Sequence, residues 1–145
     1  MQQNNNVLKE KKAQDKIDKL AWIYIKEGKL LNTKSKGKSA YLLPGGKREG
    51  EETDIQALTR EVKEELSVDL VPNTIKYMGV FEAQAYGKPV GTMVRITCYT
   101  ADFIGEMKPN LEVEGFAWLT YADKSKTTAT SFLIFDWLKE RGLLR

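Results

Sequence analysis

Histidine is absent from this 145-residue chain, and cysteine occurs once, at Cys98. Without histidine there is no imidazole acid or base, no Cys–His nucleophile pair and no zinc site of mixed His/Cys type. Cys98 cannot form an intramolecular disulfide, and within the alternating stretch MVRITCYTADF it reads as a small buried hydrophobe on a strand. Acid–base chemistry is left to carboxylates, lysine, tyrosine or metal-bound water. Long apolar runs are missing as well: none approaches the ~20 residues that span a bilayer. The opening MQQNNNVLKEKKAQ lacks the apolar centre of a secretory signal. The expected location is the cytoplasm, with no membrane partner.

What is present suits an ordinary globular domain: 41% hydrophobic and 30% charged residues, on a length that supports one core. Residues 1–15, rich in Gln and Asn and then charged, read as a loose polar tail ahead of a single domain over 16–145. The net charge of +3 excludes little. Lysines crowd two stretches, Lys9, Lys11, Lys12, Lys16 and Lys19, then Lys26, Lys29, Lys34, Lys36 and Lys38. Interrupted by Glu10, Asp15, Asp18 and Glu27, they read first as solvated faces. The second group could also draw in a polyanionic substrate.

Periodicity places the elements. Ala21–Lys26 and Lys29–Thr33 read as strands around a Glu27-Gly28 turn, and Ser39–Leu43 runs into the Pro44-Gly45-Gly46 break. Ile75–Tyr86 and Thr92–Phe103 read as long strands joined at Gly87-Lys88-Pro89, and Gly115–Thr120 as a short one. A helix is expected over about 53–66, with Ile55, Leu58, Val62 and Leu66 as its buried stripe and the acids on the neighbouring face. A second is expected over about 127–141, with Phe132, Phe135, Trp137 and Leu138 facing the core. Trp22, Tyr24, Tyr41, Phe81, Phe103 and Trp118 read as core aromatics rather than base-stacking platforms. Strands with one central and one terminal helix argue for an α+β or mixed α/β fold, helices packed on a sheet.

The densest signal is Gly46–Val68, GKREGEETDIQALTREVKEELSV. Glu61, Glu64 and Glu65 stand at helical offsets of three and four and share one face, where like charges cost about 0.2–0.5 kcal/mol per pair. That arrangement is poor for a purely structural helix and sensible for holding cations. A rival phosphate motif fails: Gly37-Lys38-Ser39 ends like a P-loop, but Asn32 stands where its first glycine belongs. Gly46, five residues, Glu52, seven residues, then Arg60-Glu61-Val62-Lys63-Glu64-Glu65-Leu66-Ser67-Val68 resembles the signature box of the Nudix hydrolases, the MutT-like family, which reads G-x5-E-x7-R-E-U-x-E-E-x-G-U. One position departs: Ser67 replaces the glycine that closes the helix, which puts that geometry in question. The flanks, Leu43-Pro44-Gly45-Gly46 before and Glu112-Val113-Glu114 ahead of Trp118-Leu119 after, are compatible with the family.

The resemblance implies an α/β/α sandwich with a mixed β-sheet and a metal-dependent pyrophosphohydrolase. It assigns Glu61, Glu64, Glu65 and the Gly45 carbonyl to Mg²⁺, with Mn²⁺ as the alternative. It gives the base role to Glu64 in the box or to Glu112 on a later loop, Glu114 being the second loop candidate. Arg60 and Glu52 are expected to pair and tie the turn to the helix. Expected substrates are nucleoside diphosphates linked to another moiety, nucleoside triphosphates first and oxidised ones included, with release of nucleoside monophosphate. Dinucleoside polyphosphates or ADP-sugars are the alternative: Gln84 stands where ADP-ribose-selective members often carry proline, and Tyr86 where members cleaving dinucleoside polyphosphates often carry tyrosine. A nucleotide-binding module without useful catalysis is a further reading, against which the acid set is complete. RNA 5′-end processing is another, leaning on Lys26–Lys38. The oligomeric state stays open between monomer and homodimer.

Overall fold

The computed structural model describes residues 16–145; the expected tail over 1–15, with Lys9, Lys11 and Lys12, lies outside them. The chain runs through β1 (Lys16–Ile23), β2 (Ile25–Lys26), β3 (Lys29–Ser35) and the two-residue β4 (Gly45–Gly46) into helix α1 (Asp54–Leu66). Then come β5 (Asp69–Leu70), β6 (Lys76–Gln84), β7 (Met93–Thr100), β8 (Phe103–Ile104), β9 (Val113–Leu119) and helix α2 (Ala129–Glu140). One sheet has the order β4-β1-β7-β6 and is mixed, with β1 parallel to β7 and the other pairs antiparallel. β2, β3 and β9 form a second sheet, and β5 with β8 a short ribbon.

Successive side chains of a strand point to opposite faces, and β1 buries both of its faces. Leu20 and Trp22 pack with Ala57, Leu58, Val62 and Leu66 of α1. Ala21 and Ile23 pack with Ile134, Phe135 and Leu138 of α2, and Cys98 lies in this second cluster, fully buried as a small hydrophobe. The sheet therefore sits between two helices, which is the expected α/β/α sandwich. Trp22 is completely buried, and its indole N–H is satisfied by the Ala101 carbonyl at 3.0 Å, as a core tryptophan requires.

Four expectations need correction. The first strand begins at Lys16, not Ala21, because its charged start is neutralised from other strands: Lys16 pairs with Glu82 at 3.2 Å and Asp18 with Arg95 at 3.3 Å. The stretch Thr92–Phe103 is not one strand; β7 stops at Thr100, and Phe103–Ile104 turns away to pair with Asp69–Leu70. Ile55 is 46% exposed, since the core meets α1 only from Ala57 onward. Phe132 is 37% exposed: at about 100° per residue it lies roughly 130° round from the centre of the buried face made by Thr130, Ser131, Ile134, Phe135 and Leu138.

Candidate active site

Thr53 starts α1 with a reciprocal cap. Its hydroxyl accepts from the Gln56 N–H at 3.2 Å, and the Gln56 side chain accepts from the Thr53 N–H at 3.0 Å. The cap fixes where the helix begins and so which face carries the acids. At the other end Ser67 adopts the left-handed conformation, φ 65° and ψ 20°, with its N–H bonded to the Lys63 carbonyl at 3.0 Å. Its hydroxyl donates to the Lys108 carbonyl at 3.1 Å. Serine thus closes the helix as glycine does, at the steric cost an L-residue carries there. Ser67→Gly is expected to relieve ~1 kcal/mol of that strain and to lose an exposed hydrogen bond of about similar worth. Thermal denaturation and steady-state rates should change little, within about twofold in rate; a large gain in rate would show that serine misplaces the acids.

Arg60 is the hub of the acidic face. Its Nε and Nη2 donate to the two oxygens of Glu52 at 2.8 and 2.9 Å, the expected bidentate pair, and Nη2 also donates to the Lys47 carbonyl at 3.0 Å. Nη1 reaches Glu61 at 3.0 Å and Glu64 at 3.4 Å. Glu52 further accepts from the Glu49 N–H at 2.8 Å. The Arg60 guanidinium, then that N–H, hold the Glu52 carboxyl down to about 2. The turn from Lys47 to Glu52 is in this way bolted to the helix through one side chain.

A side chain on Gly46 would have to displace the Glu61 carboxylate. A Cβ there would lie 2.5 Å from the Glu61 carboxyl carbon and 2.7 Å from its Oε2, so the glycine that opens the motif is the floor on which Glu61 rests. Gly46→Ala is expected to push Glu61 aside and lower metal-dependent turnover about 10–100-fold, the range for displaced support of a ligand, with little change in thermal denaturation. Unchanged turnover would mean that the position of Glu61 is immaterial. Gly45, at φ 142°, runs against the Leu20 carbonyl, and its N–H donates to Glu65 Oε1 at 2.7 Å.

Glu65 corrects the expectation that the acids occupy a face beside the packing one. It is 8% exposed and shares the buried side of α1 with Ala57, Leu58, Val62 and Leu66. Burial pushes its carboxyl up to about 8, against the pull of the Gly45 N–H, and the charges of Glu61, Glu112 and Glu64 push the same way. Glu61 is also raised, by burial first, with Arg60 opposing and Glu64 and Glu112 reinforcing. Glu64 is the most open of the three, its side chain 42% exposed.

The structure brings Glu52, Arg60, Glu61, Glu64, Glu65 and the Gly45-Gly46 turn together, with Glu112 near enough for its charge to act on Glu61 and Glu65. Glu114 is exposed on β9 and is not among the charges acting on either. Among the described residues no three acids converge closely enough to hold a metal ion as they stand, since Glu61 and Glu64 are both turned to Arg60. In chemistry the set fits a divalent cation: every donor is a hard oxygen, and one of them is a buried carboxyl with a single hydrogen bond.

Sequence reasoning did not foresee Lys19, read as solvated but half-buried against the site. An 80 Å³ cavity lies against Gly45, Gly46, Glu65 and Lys19. A larger cavity of 540 Å³, bounded by Tyr24, Met78 and Trp137, holds none of the acids. Its charged lining residues are Lys76 and Asp102, away from the acidic face of α1. No helix among the described residues is long and apolar enough to cross a membrane.

An acidic helix laid on a glycine turn, within a mixed sheet sandwiched by two helices, defines a Nudix hydrolase. The family model of the NUDIX domain matches residues 18–138, and the chain belongs to that family. The family's general activity is pyrophosphohydrolysis of nucleotide substrates with divalent metal ions. Among solved structures, the MutT NUDIX hydrolase from Burkholderia pseudomallei is similar with a TM-score of 0.70 and 22% identity, over 83% of this chain and 96% of that one. The MutT protein from Methanosarcina mazei Go1 gives a TM-score of 0.70 at 18% identity, over 88% and 95% of the two chains. The ORF135 protein of E. coli gives 0.67 at 21% identity, over 87% and 91%. No curated protein matches the chain in sequence.

Proposed function

We propose that this chain is a Mg²⁺-dependent pyrophosphohydrolase of the cytoplasm, a single domain over 16–145. It cleaves nucleoside diphosphates linked to another moiety, with nucleoside triphosphates, oxidised ones included, ahead of dinucleoside polyphosphates and ADP-sugars. The observation that carries this reading is the complete set of Glu52, Arg60, Glu61, Glu64 and Glu65 gathered on the Gly45-Gly46 turn.

Glu61, Glu64, Glu65 and the Gly45 carbonyl would hold the cation once Glu61 and Glu64 swing away from Arg60; Mn²⁺ suits the same oxygens. Bound there, the cation would polarise the scissile phosphoryl group and lower the pKa of an attacking water. Glu64, open to solvent, is the base that takes the water proton, with Glu112 the alternative and Glu114 behind it. The water oxygen bonds to the phosphorus bearing the nucleoside, the bridging P–O bond breaks, and nucleoside monophosphate leaves with the remainder. Arg60 and Glu52 keep the turn and helix in register and act through the acids.

The test is a panel of nucleoside triphosphates, dinucleoside polyphosphates, ADP-ribose and nucleotide sugars, with Mg²⁺ or with EDTA, products separated by chromatography. Monophosphate formed only with the cation is the expected result. Ligand binding with no product across the panel would favour a nucleotide-binding module instead.

A further inference from the structure

A second cavity, of 230 Å³, opens beside the one at Glu65; both are bounded by Lys19, Leu42, Ile96 and Thr128. Four lysines line it: Lys19 on β1, Lys38 in the loop after β3, Lys47 just past β4, and Lys88 in the hairpin between β6 and β7. No carboxylate lines it, and among the described residues none of the four forms an ion pair. Their charges reach one another: burial first, then Lys47 and Lys38, and Lys88 more weakly, drive the Lys19 ammonium below its ordinary range against the pull of Glu65. Lysines that only solvate a surface spread apart, whereas these share one concavity from four separate segments.

A second observation comes from α2, whose first residues open on the same cavity. Thr128 lines the cavity and caps this helix without a side-chain hydrogen bond to its backbone, and a helix start carries unpaired N–H groups and the positive end of the helix dipole. Thr130 lines the cavity at 1% exposure, and its hydroxyl has no partner among the described residues. A buried hydroxyl is normally satisfied, and helix N–H groups beside lysines make a ready anion site. The walls are braced. The Tyr86 and Ser39 hydroxyls meet at 3.0 Å, joining the Lys38 loop to the hairpin. The Gln84 side chain donates to the Pro89 carbonyl and accepts from the Gly91 N–H, each at 2.9 Å, holding the hairpin that carries Lys88.

We propose that this cavity seats a phosphomonoester carried by the substrate apart from the scissile diphosphate, so that the chain prefers diphosphate compounds bearing such a phosphate to the same compounds without it. The proposal rests on the pyrophosphohydrolase reading, because the smaller cavity joins this one to Glu65. A phosphate dianion takes lysines as point charges and the Thr130 hydroxyl and helix N–H groups as directed donors. An uncharged base in the same place would leave Lys38, Lys47 and Lys88 without a counter-charge among the residues that line the cavity.

Matched pairs that differ by one phosphomonoester test this directly: NADPH against NADH, and coenzyme A against its dephospho form. The ratio of kcat/KM within each pair is measured for the natural chain, for Lys38→Met combined with Lys88→Met, and for Thr130→Val. The expected ratio is about 30-fold or more in at least one pair, carried by KM, falling to near one in the lysine variant and several-fold in Thr130→Val. A ratio near one in both pairs for the natural chain overturns the proposal. Calorimetric titration with inorganic tripolyphosphate in EDTA reads the site without catalysis. Binding that is lost in the lysine variant supports the site, and no binding, or equal binding by the variant, overturns it. Should nothing be cleaved while tripolyphosphate still binds through the lysines, the pyrophosphohydrolase reading fails and the phosphate site stands. A single-stranded RNA that displaces tripolyphosphate far more effectively than NADPH does would overturn the small-molecule assignment.

Discussion

Glu64→Gln is expected to lower turnover by about 10³-fold, within the range for loss of a general base, and more where a metal ligand is lost as well. The fold should not notice. The Glu64 side chain is 42% exposed, and its contacts in the site are two approaches of Arg60 at 3.4 Å, so the stability change should stay within about 0.5 kcal/mol. Pre-steady-state and steady-state rates on the best panel substrate, beside a denaturation curve, make the comparison. Near-normal turnover would remove Glu64 from both roles and leave Glu112→Gln as the variant that must fall instead.

Glu65→Gln should abolish activity to a similar degree, for a different reason, and should make the metal-free protein more stable at neutral pH. The Glu65 carboxyl sits near 8 in the folded chain against an ordinary value of 4.5. A raised carboxyl contributes stability that is fully present below its unfolded pKa and is lost as pH rises through the folded one. In EDTA the natural chain should therefore weaken steadily between about pH 4.5 and about pH 8. Glutamine cannot ionise, so the variant should lose that part of the slope. Glu61 is raised in the same direction and retains its share in both proteins, so the difference between the two slopes isolates Glu65. Urea midpoints at pH 5 and pH 8 read it. Parallel slopes would mean that Glu65 is not held toward its neutral form. A buried carboxyl that weakens the fold as it ionises is a familiar exchange of stability for function.

How far the sequence could be read depended on whether a feature is local. Helix α1, its Thr53 start and the Arg60–Glu52 pair follow from spacings within a single stretch, and the observed Asp54–Leu66 helix and bidentate contact match them. Ser67 was readable as a departure but not in its effect, because its hydroxyl finds Lys108, far along the chain. The start of β1 lies outside the strand expected from Ala21, since the partners of Lys16 and Asp18 sit on β6 and β7. The burial of Glu65 was hidden likewise: its place on the packed side of α1 depends on β4, whose Gly45 N–H meets it from across the sheet. The lysine cavity is the extreme case, since Lys19, Lys38, Lys47 and Lys88 have no common spacing and only the fold assembles them.

Titrating Mn²⁺ into the natural chain and into Glu61→Gln, following free Mn²⁺ by electron paramagnetic resonance, reads whether the acidic face of α1 holds the cation on which hydrolysis would depend. Binding by the natural chain is expected to weaken about 10–100-fold in the variant and to tighten as pH rises towards 8, where Glu65 gives up its proton. Equal Mn²⁺ binding by both proteins, or none by the natural chain in the presence of a hydrolysable nucleotide, would contradict that expectation.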